Sequence, residues 1–470
     1  SQFKNNFYMQ IVVGTQSTIV TFEEGIYIGS SVGQTLSIRK YTSDGAMLPM
    51  AEHMCVDKVD RIEFSPDGSL VMCLLLSRNA VQVFSVPTES NSLGSDVWKC
   101  RINEGIAGMI NACWSPCSQY ILTESDYGIH LCFWSLFETT DAVHQKSSSQ
   151  SKKGTGLLDN SSPSSSMYII TNPKSSAQCG SLGTHSSALY SFSPTPSGSA
   201  VESFRLAVVH RFDLQDYIAI YGPAVPSEEQ PSKLQELVKF RARSNDIASV
   251  QWSLGLHLVT ADSPLSYRCC VYTPAGECLL NLEAYQHALG IRCVAPPGSG
   301  GGLLAVGSFD GSARLLSVFS WQLAFELAHS VAGATGCVEG GDRSVQCWVE
   351  SEATFARRRL KVLPRLSPAA SAGSGALPAM GVGWLAWSSD GLLLAAKEEA
   401  HPRCLWVWRP LQARLEALLV LAEPLQCARW RPAGSVAVLA FCSSSGRVGL
   451  WREGNEGVGE EEGDAEGRGV

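Results

Sequence analysis

The chain has 470 residues, 45% hydrophobic and 17% charged, with a formal net charge of −8 and a sequence pI near 5.7. The acidic balance excludes a general nucleic-acid-binding surface, which needs a basic stripe, while the apolar fraction supports a full core. The 16 cysteines include no Cys-x-x-Cys, the nine histidines show no ligand spacing, and no apolar run is long enough to span a bilayer, which argues for reduced thiols in a cytosolic or nuclear protein and against a disulfide framework, a zinc framework or a membrane span.

In chain order, residues 1–139 hold three regular units, the first starting near Met9. Ser1 stands where a Met would begin a chain, so residues are expected to precede it; no signal peptide is visible. The units share one phrase. An aromatic is followed by a Ser- or Pro-containing turn, an apolar strand, a second turn, and a strand ending in an aromatic. The phrase reads Phe64-Ser-Pro-Asp-Gly68 to Val81-Gln-Val-Phe84, then Trp114-Ser-Pro-Cys-Ser118 to Leu131-Cys-Phe-Trp134. Pro presets φ at the second turn position, and Gly accepts positive φ. Residues 140–204 are a serine-rich insertion within a degenerate unit, carrying Ser147-Ser-Ser-Gln-Ser151 and Ser161-Ser-Pro-Ser-Ser-Ser166. Such composition cannot offset ordering entropy, so 140–166 is expected to be mobile. Tyr168-Ile-Ile170 inside it is expected to form a strand.

Blade-like sequence resumes over 205–329, at Arg205-Leu-Ala-Val-Val209 and Asp216-Tyr-Ile-Ala-Ile-Tyr221, with Trp252-Ser-Leu-Gly255 to Cys270-Val-Tyr272 repeating the phrase. Residues 330–379 read as irregular or as one poor unit around Ser344–Trp348. Residues 380–452 hold two clear units, Trp387-Ser-Ser-Asp-Gly391 to Leu405-Trp-Val-Trp408 and Trp430-Arg-Pro-Ala-Gly434 to Val448-Gly-Leu-Trp451. Residues 453–470, with Glu460-Glu-Glu462, read as an acidic disordered tail.

The aromatic-to-aromatic spacing is 20 from Phe64 to Phe84, Trp114 to Trp134 and Trp252 to Tyr272, and 21 from Trp387 to Trp408 and Trp430 to Trp451. A fixed internal spacing means one supersecondary unit used many times. Short strands with frequent turns, and 43 residues from Trp387 to Trp430, predict an all-β fold, a WD-repeat β-propeller with eight or nine degenerate blade units. A sandwich requires no such constancy. Phe64, Phe84, Trp114, Trp134, Trp252, Tyr272, Trp387, Trp408, Trp430 and Trp451 are the expected core. No unit carries a full Gly-His opening, and the usual Trp-Asp ending is Phe84-Ser85, Trp134-Ser135, Trp408-Arg409 or Trp451-Arg452. The buried His–Asp network of standard blades is therefore expected to be mostly absent, with aromatic and aliphatic packing in its place.

Further stretches carry a family resemblance. They are Trp98-Lys-Cys-Arg-Ile-Asn-Glu-Gly105 with Ala112-Cys-Trp-Ser-Pro116, Tyr168 to Lys174 with Asp216-Tyr-Ile-Ala-Ile220, Tyr285 through Gly290-Ile-Arg with Leu304-Ala-Val-Gly-Ser-Phe-Asp-Gly311 and Trp321, and Gly381-Val-Gly-Trp-Leu-Ala386. In this order the chain resembles the WD repeat-containing protein eight family, the WD-repeat proteins encoded antisense to the tumour-protein-seventy-three gene. The resemblance covers most of residues 55–452. It implies a non-catalytic scaffold of the centrosome and spindle pole, bound to a coiled-coil partner that anchors microtubule minus ends, with a role in cilium assembly. Pro296-Pro-Gly298 departs from the family's aromatic-Ser-Pro turn, and an acidic tail stands where the family has a further unit after Trp451. A translation-initiation propeller binding ribosomal components is the alternative.

Chemistry is sparse. Gly298-Ser-Gly-Gly-Gly302 lacks the Lys-Ser/Thr of a phosphate loop and reads as a hairpin loop. Asp310 and Asp390 sit in turns, His130 reads as a satisfied packing residue, and Arg357-Arg-Arg359 with Lys361 and Arg365 reads as a solvated charge run. No catalytic residue, cofactor or metal ligand is assigned. Arg101 and Glu104, in a loop entering the third unit, with Arg314 and Trp321, are the candidate partner-binding residues, because Arg and Trp anchor interfaces.

Overall fold

The computed structural model describes residues 16–22, 25–41, 47–87, 98–104, 107–136, 167–174, 189–194, 204–223, 234–253, 257–297, 301–329, 345–351, 354–360, 363–365, 378–431, 437–444 and 448–453. The expectations for 140–166 and 454–470 lie outside them.

The strands form eight sheets. The first is β1 (Gln16–Phe22), β2 (Gly25–Val32), β3 (Thr35–Tyr41) and β4 (Met47–Met54). The second is β5 (Arg61–Phe64), β6 (Leu70–Leu75), β7 (Ala80–Ser85) and β8 (Lys99–Asn103). The third is β9 (Met109–Trp114), β10 (Tyr120–Ser125), β11 (His130–Ser135) and β12 (Met167–Thr171), the last being the strand expected around Tyr168. The fourth is β13 (Tyr190–Phe192), β14 (Leu206–Phe212), β15 (Gln215–Pro223) and β16 (Leu234–Arg241). The fifth is β17 (Ile247–Trp252), β18 (Leu258–Asp262), β19 (Cys269–Tyr272) and β20 (Cys278–Leu282), and the sixth is β21 (Ile291–Ala295), β22 (Leu303–Ser308), β23 (Ser312–Ser317) and β24 (Leu323–Ala328).

The stretch read as irregular holds a hairpin, β25 (Val345–Ser351) and β26 (Thr354–Leu360). Among the described residues it forms no blade of its own. It extends the seventh sheet, β27 (Val382–Trp387), β28 (Leu394–Glu398), β29 (Cys404–Arg409) and β30 (Arg414–Val420), through parallel pairing of Trp348 with Leu419 and Val349 with Val420. The eighth sheet has three described strands, β31 (Leu425–Trp430), β32 (Val438–Ser443) and β33 (Val448–Arg452). Meandering four-stranded sheets in series are the blades of a WD-repeat β-propeller, the fold the spacing predicts.

The chain divides into two compact units. One is Ser1–Ser181 with Ser186–Trp252 and Tyr272–Glu277; the other is Leu182–His185 with Ser253–Val271 and Cys278–Val470. No helix among the described residues is long and apolar enough to cross a membrane.

Sandwiching between neighbours explains the apolar strands. All six residues of β6 are buried. Val71, Cys73 and Leu75 pack with Leu36 and Ile38 of the first sheet. Leu70, Met72 and Leu74 pack with Trp114 and Ile121 of the third. A strand covered on both faces cannot alternate apolar with polar.

The turns follow from their residues. Ser65 Oγ donates to Asp67 Oδ1 at 2.6 Å and accepts from Leu70 N at 2.9 Å, and Gly68 takes φ 73°. Ser388, Asp390, Leu393 and Gly391 repeat this arrangement in the seventh sheet.

The four opening tryptophans tie successive sheets together. Each donates its indole N–H to a first-strand carbonyl of the sheet before it. Trp114 reaches Glu63 O at 3.2 Å, Trp252 reaches Ser191 O at 2.9 Å, Trp387 reaches Ala295 O at 3.2 Å, and Trp430 reaches Ala386 O at 2.9 Å. Phe64, Phe84, Trp114, Trp252, Tyr272 and Trp408 are buried, and Trp134, Trp387, Trp430 and Trp451 half-buried.

Candidate protein-binding surface

The four sequence candidates fall in different surroundings. Arg101 lies within β8, not in a loop; it is exposed, and its Nε donates to Asn103 Oδ1 at 2.9 Å. Glu104 is buried, which corrects its reading as a surface anchor. Its carboxylate accepts from Thr123 Oγ1 and pairs with His130 Nε2 at 3.0 Å. Thr123 Oγ1 in turn accepts the Trp134 indole N–H at 2.9 Å. A partner could reach Glu104 only by unmaking this network.

Arg314, in β23, is held from four sides: Asp310 Oδ2 at 2.7 Å, Glu326 Oε1 at 3.0 Å, Ser308 Oγ at 3.1 Å, and the Tyr267 ring beneath its guanidinium at 5.4 Å. Its donors are occupied within its own sheet and turn, so its role is to fix the Asp310-Gly311 turn. Trp321 is half-buried against a core cluster of the second unit, edge-on to His257 at 5.3 Å, with φ 54°. Arg101 and Glu104 belong to the first unit, Arg314 and Trp321 to the second.

The Trp134–Thr123–Glu104–His130 chain adds a buried polar network to the aromatic and aliphatic packing expected in place of the His–Asp network. The donor at one end is the repeat aromatic Trp134, and the acceptor is Glu104, which lies before the first strand of the sheet. The seventh sheet varies the theme. Trp408 donates its indole N–H to His329 Nε2 at 3.2 Å, and His329 Nδ1 faces Gly311 O at 3.2 Å. In the fourth sheet Lys174, its side chain wholly buried, donates to Asp216 Oδ2 at 2.8 Å, Asp246 Oδ1 at 2.6 Å and Ile247 O at 2.6 Å. Three acceptors for three ammonium protons offset the desolvation of the charge.

Glu104, His130 and Cys132 bring one potential metal-ligand atom each within 4.8 Å of one another. Burial, and then the Glu104 carboxylate beside it, push the Cys132 thiol up. Glu104 and His130 are already hydrogen-bonded to each other at 3.0 Å.

The surface that sequence reasoning missed is the edge of the first unit formed by its second-to-third-strand hairpins. Hydrogen bonds chain the four hairpins side by side. Val59 N donates to Gly33 O of the first hairpin at 2.9 Å, and the same segment reaches the second, with Leu76 N donating to Asp60 Oδ2 at 2.8 Å and Arg78 Nε to Asp57 Oδ2 at 2.7 Å. Asn79 Oδ1 accepts from Met109 N at 3.2 Å, and Gly108 O accepts from Asp126 N of the third hairpin at 3.3 Å. Asn172 N donates to Ile129 O at 3.0 Å, and Lys174 N to Val209 O at 2.8 Å, joining third to fourth.

This edge is apolar where water reaches it. Val32, Met54, Val56, Leu76 and Ile129 are exposed, as are Tyr127 at 78%, Phe212 at 67% and Leu214 at 82%. Tyr127 has φ 59°, and the two-residue turn Asp213-Leu214 has φ 47° and 61°. Positive φ at both central residues is the type I′ pattern, which favours Asn-Gly or Asp-Gly. Leucine there costs about 1–2 kcal/mol. An exposed aromatic and an exposed aliphatic in strained backbone, among other exposed apolar residues, make this edge the candidate recognition surface. No sequence signal pointed to it, since Phe-Asp-Leu matches no turn signature.

No family model matches the chain. Mouse WD repeat-containing protein WRAP73 is 27% identical over 451 residues, covering 91% of this chain and 83% of that protein. The chain thus resembles that WD-repeat protein along nearly its whole length. Among solved structures, Saccharomyces cerevisiae Sqt1 is 10% identical with a TM-score of 0.48, over 91% of this chain and 92% of that one. Chaetomium thermophilum Sqt1, bound to the N-terminus of ribosomal protein L10, is 14% identical with a TM-score of 0.45, over 82% and 80%.

Proposed function

We propose that this WD-repeat protein is a binding scaffold of the centrosome and spindle pole, docking a coiled-coil partner that anchors microtubule minus ends, with roles in spindle and cilium assembly. The resemblance to mouse WRAP73 supports the class of protein. The observation that carries the docking surface is the run of exposed Tyr127, Ile129, Phe212 and Leu214 on neighbouring hairpins. A row of apolar tips held at fixed spacing by a rigid sheet suits the apolar stripe of a helix, which presents anchors at regular intervals. The work done is binding, and the residues that carry it are surface residues.

The test is the tagged chain in dividing cells, unchanged and carrying Tyr127→Ser, Phe212→Ser and Leu214→Ser together. The unchanged chain is expected at spindle poles, with coiled-coil pole components among its proximity-labelled neighbours. The triple variant is expected to fold by circular dichroism and to lose those neighbours, since interface anchors contribute at least about 2 kcal/mol, roughly thirtyfold in affinity. An unchanged neighbour set with the triple variant moves the docking surface elsewhere. Absence of the unchanged chain from spindle poles, with co-sedimentation on ribosomes, replaces the reading with the ribosomal one.

A further inference from the structure

In the eighth sheet β31 and β32 pair antiparallel with Cys427 directly opposite Cys442. Their neighbours Ala428 and Phe441, also opposite each other, point into the core cluster, so alternation turns both cysteines to the other face. Cys427 is exposed and Cys442 half-buried. Directly opposed residues of an antiparallel pair have Cα atoms about 4.5–5.5 Å apart, inside the range of about 4.4–6.8 Å that a disulfide spans. Burial, and then the facing Cys427, push the Cys442 thiol up.

Cys55 and Cys73 supply the internal control. Both residues are buried, at 3% and 0% exposure, and shielded from reagents in the folded protein.

We propose that Cys427 and Cys442 form a thiol–disulfide exchange site, whose reagent is a small-molecule disulfide of the glutathione class. The Cys427 thiol loses its proton, and its thiolate attacks one sulfur of the reagent; the reagent's S–S bond breaks and one small thiolate leaves. Cys442 then loses its proton and attacks the Cys427 sulfur, breaking the mixed disulfide and expelling the second small thiolate. The two protein thiols give up two electrons and two protons, and the reagent is reduced to two thiols. Because the strands are already in register, the bond fastens β31 to β32 without moving either.

The experiment equilibrates the full-length chain in buffers of oxidised and reduced glutathione, traps free thiols by alkylation, and maps the peptides by mass spectrometry. A Cys427–Cys442 crosslink is expected, reversed by excess reduced glutathione, with Cys55 and Cys73 alkylated only after denaturation. Cys442→Ser should accumulate the glutathione mixed disulfide at Cys427. Cys427→Ser, at an exposed position that folding does not depend on, should leave the native chain unoxidised at Cys442. A mixed disulfide that persists at Cys427 in the unchanged chain overturns the proposal, and so does a Cys427 that stays free across the series.

Discussion

The two edges of the sheets in the first unit are built from opposite materials. At one edge, first-to-second-strand turns are polar and locally satisfied. Asp67 takes hydrogen bonds from Ser65 and Ser69, and Asp67 N donates to Ser118 Oγ of the next turn at 3.0 Å. At the other edge, second-to-third-strand hairpins expose Tyr127, Phe212 and Leu214, two of them in strained backbone, over the buried charges of Lys174, Asp216 and Glu104. The first edge rests mainly on bonds within each turn. The second adds, to local bonds such as Ser125 Oγ to His130 O, a series of ties between hairpins, and these hold tips that are apolar and strained. A scaffold needs both: turns that fold locally, and a surface whose exposed groups are free for a partner.

The largest effect that would sharpen this contrast is at Lys174. Lys174→Met removes the buried cation between Asp216 and Asp246, takes the closest partner from the buried Asp216 carboxylate, and leaves Arg211, 2.7 Å from Asp246 and 3.7 Å from Asp216, as the remaining cation. Breaking a buried pair from one side costs about 3–5 kcal/mol. Asp67→Ala, in a solvent-facing turn, removes capping hydrogen bonds worth about 1 kcal/mol. Urea unfolding of the two variants checks this. Equal midpoints would mean that the two edges are held with equal strength, and the contrast would fail.

Acid should loosen the two edges in sequence. Burial lowers the pKa of His210, against the opposing Asn172 carbonyl at its Nδ1; Lys239 lowers it further and Glu236 raises it. The folded state thus binds this proton less readily than the unfolded one, whose histidine titrates near 6.5. Stability from His210 is full above that value and is lost as pH falls below it toward the folded pKa. Asp67 titrates lower. Burial raises its pKa, but the hydrogen bonds from Ser65, Ser69 and Ser118 outweigh it and the net shift is downward from 3.8, so its contribution is lost only in stronger acid. His210→Gln, neutral throughout, should flatten the fall in thermal midpoint between about pH 7 and pH 5, and Asp67→Asn should not. The same slope in all three proteins would remove His210 from the account.

The difference between the edges is also the difference in what the sequence could tell. Ser65-Pro-Asp-Gly68 and Ser388-Ser-Asp-Gly391 were readable because each turn closes on itself within a few residues. The repeat spacing was readable because each opening Trp serves the same bond to the preceding sheet. Glu104 was misread because its partners, Thr123 and His130, lie 19 and 26 residues away, and nothing local distinguishes a buried glutamate at a strand end from an exposed one. Lys174 joins Asp216 and Asp246 across 42 and 72 residues. The β25–β26 hairpin was read as irregular because its place beside β30 is set by parallel pairing, which leaves no short-range pattern. The apolar tips were invisible because an exposed Phe or Leu reads as core until the strand ends are known.

The smallest expected effect separates strain from contact at those tips. Leu214 is the second central residue of a two-residue hairpin turn, where Phe212 pairs with Gln215 and both turn residues have positive φ. Leu214→Gly gives this turn an Asp-Gly pair, the sequence that a type I′ turn favours. Glycine populates the left-handed region freely, whereas leucine pays about 1–2 kcal/mol to enter it, and the glycine's extra freedom in the unfolded chain offsets part of the gain. The net expectation is a rise in stability of under about 1 kcal/mol, read as a higher urea midpoint at unchanged slope. The same substitution deletes an exposed aliphatic group, so binding of the proposed partner should weaken while the fold strengthens. Opposite signs in one variant would show leucine retained at this position for its contact and against the stability of its own turn. A more stable Leu214→Gly variant that binds as tightly as the unchanged chain would remove Leu214 from the surface and leave Tyr127 and Phe212 to carry it. A less stable variant would mean that Leu214 packs where its exposure says it does not, and the apolar edge would then belong to the core.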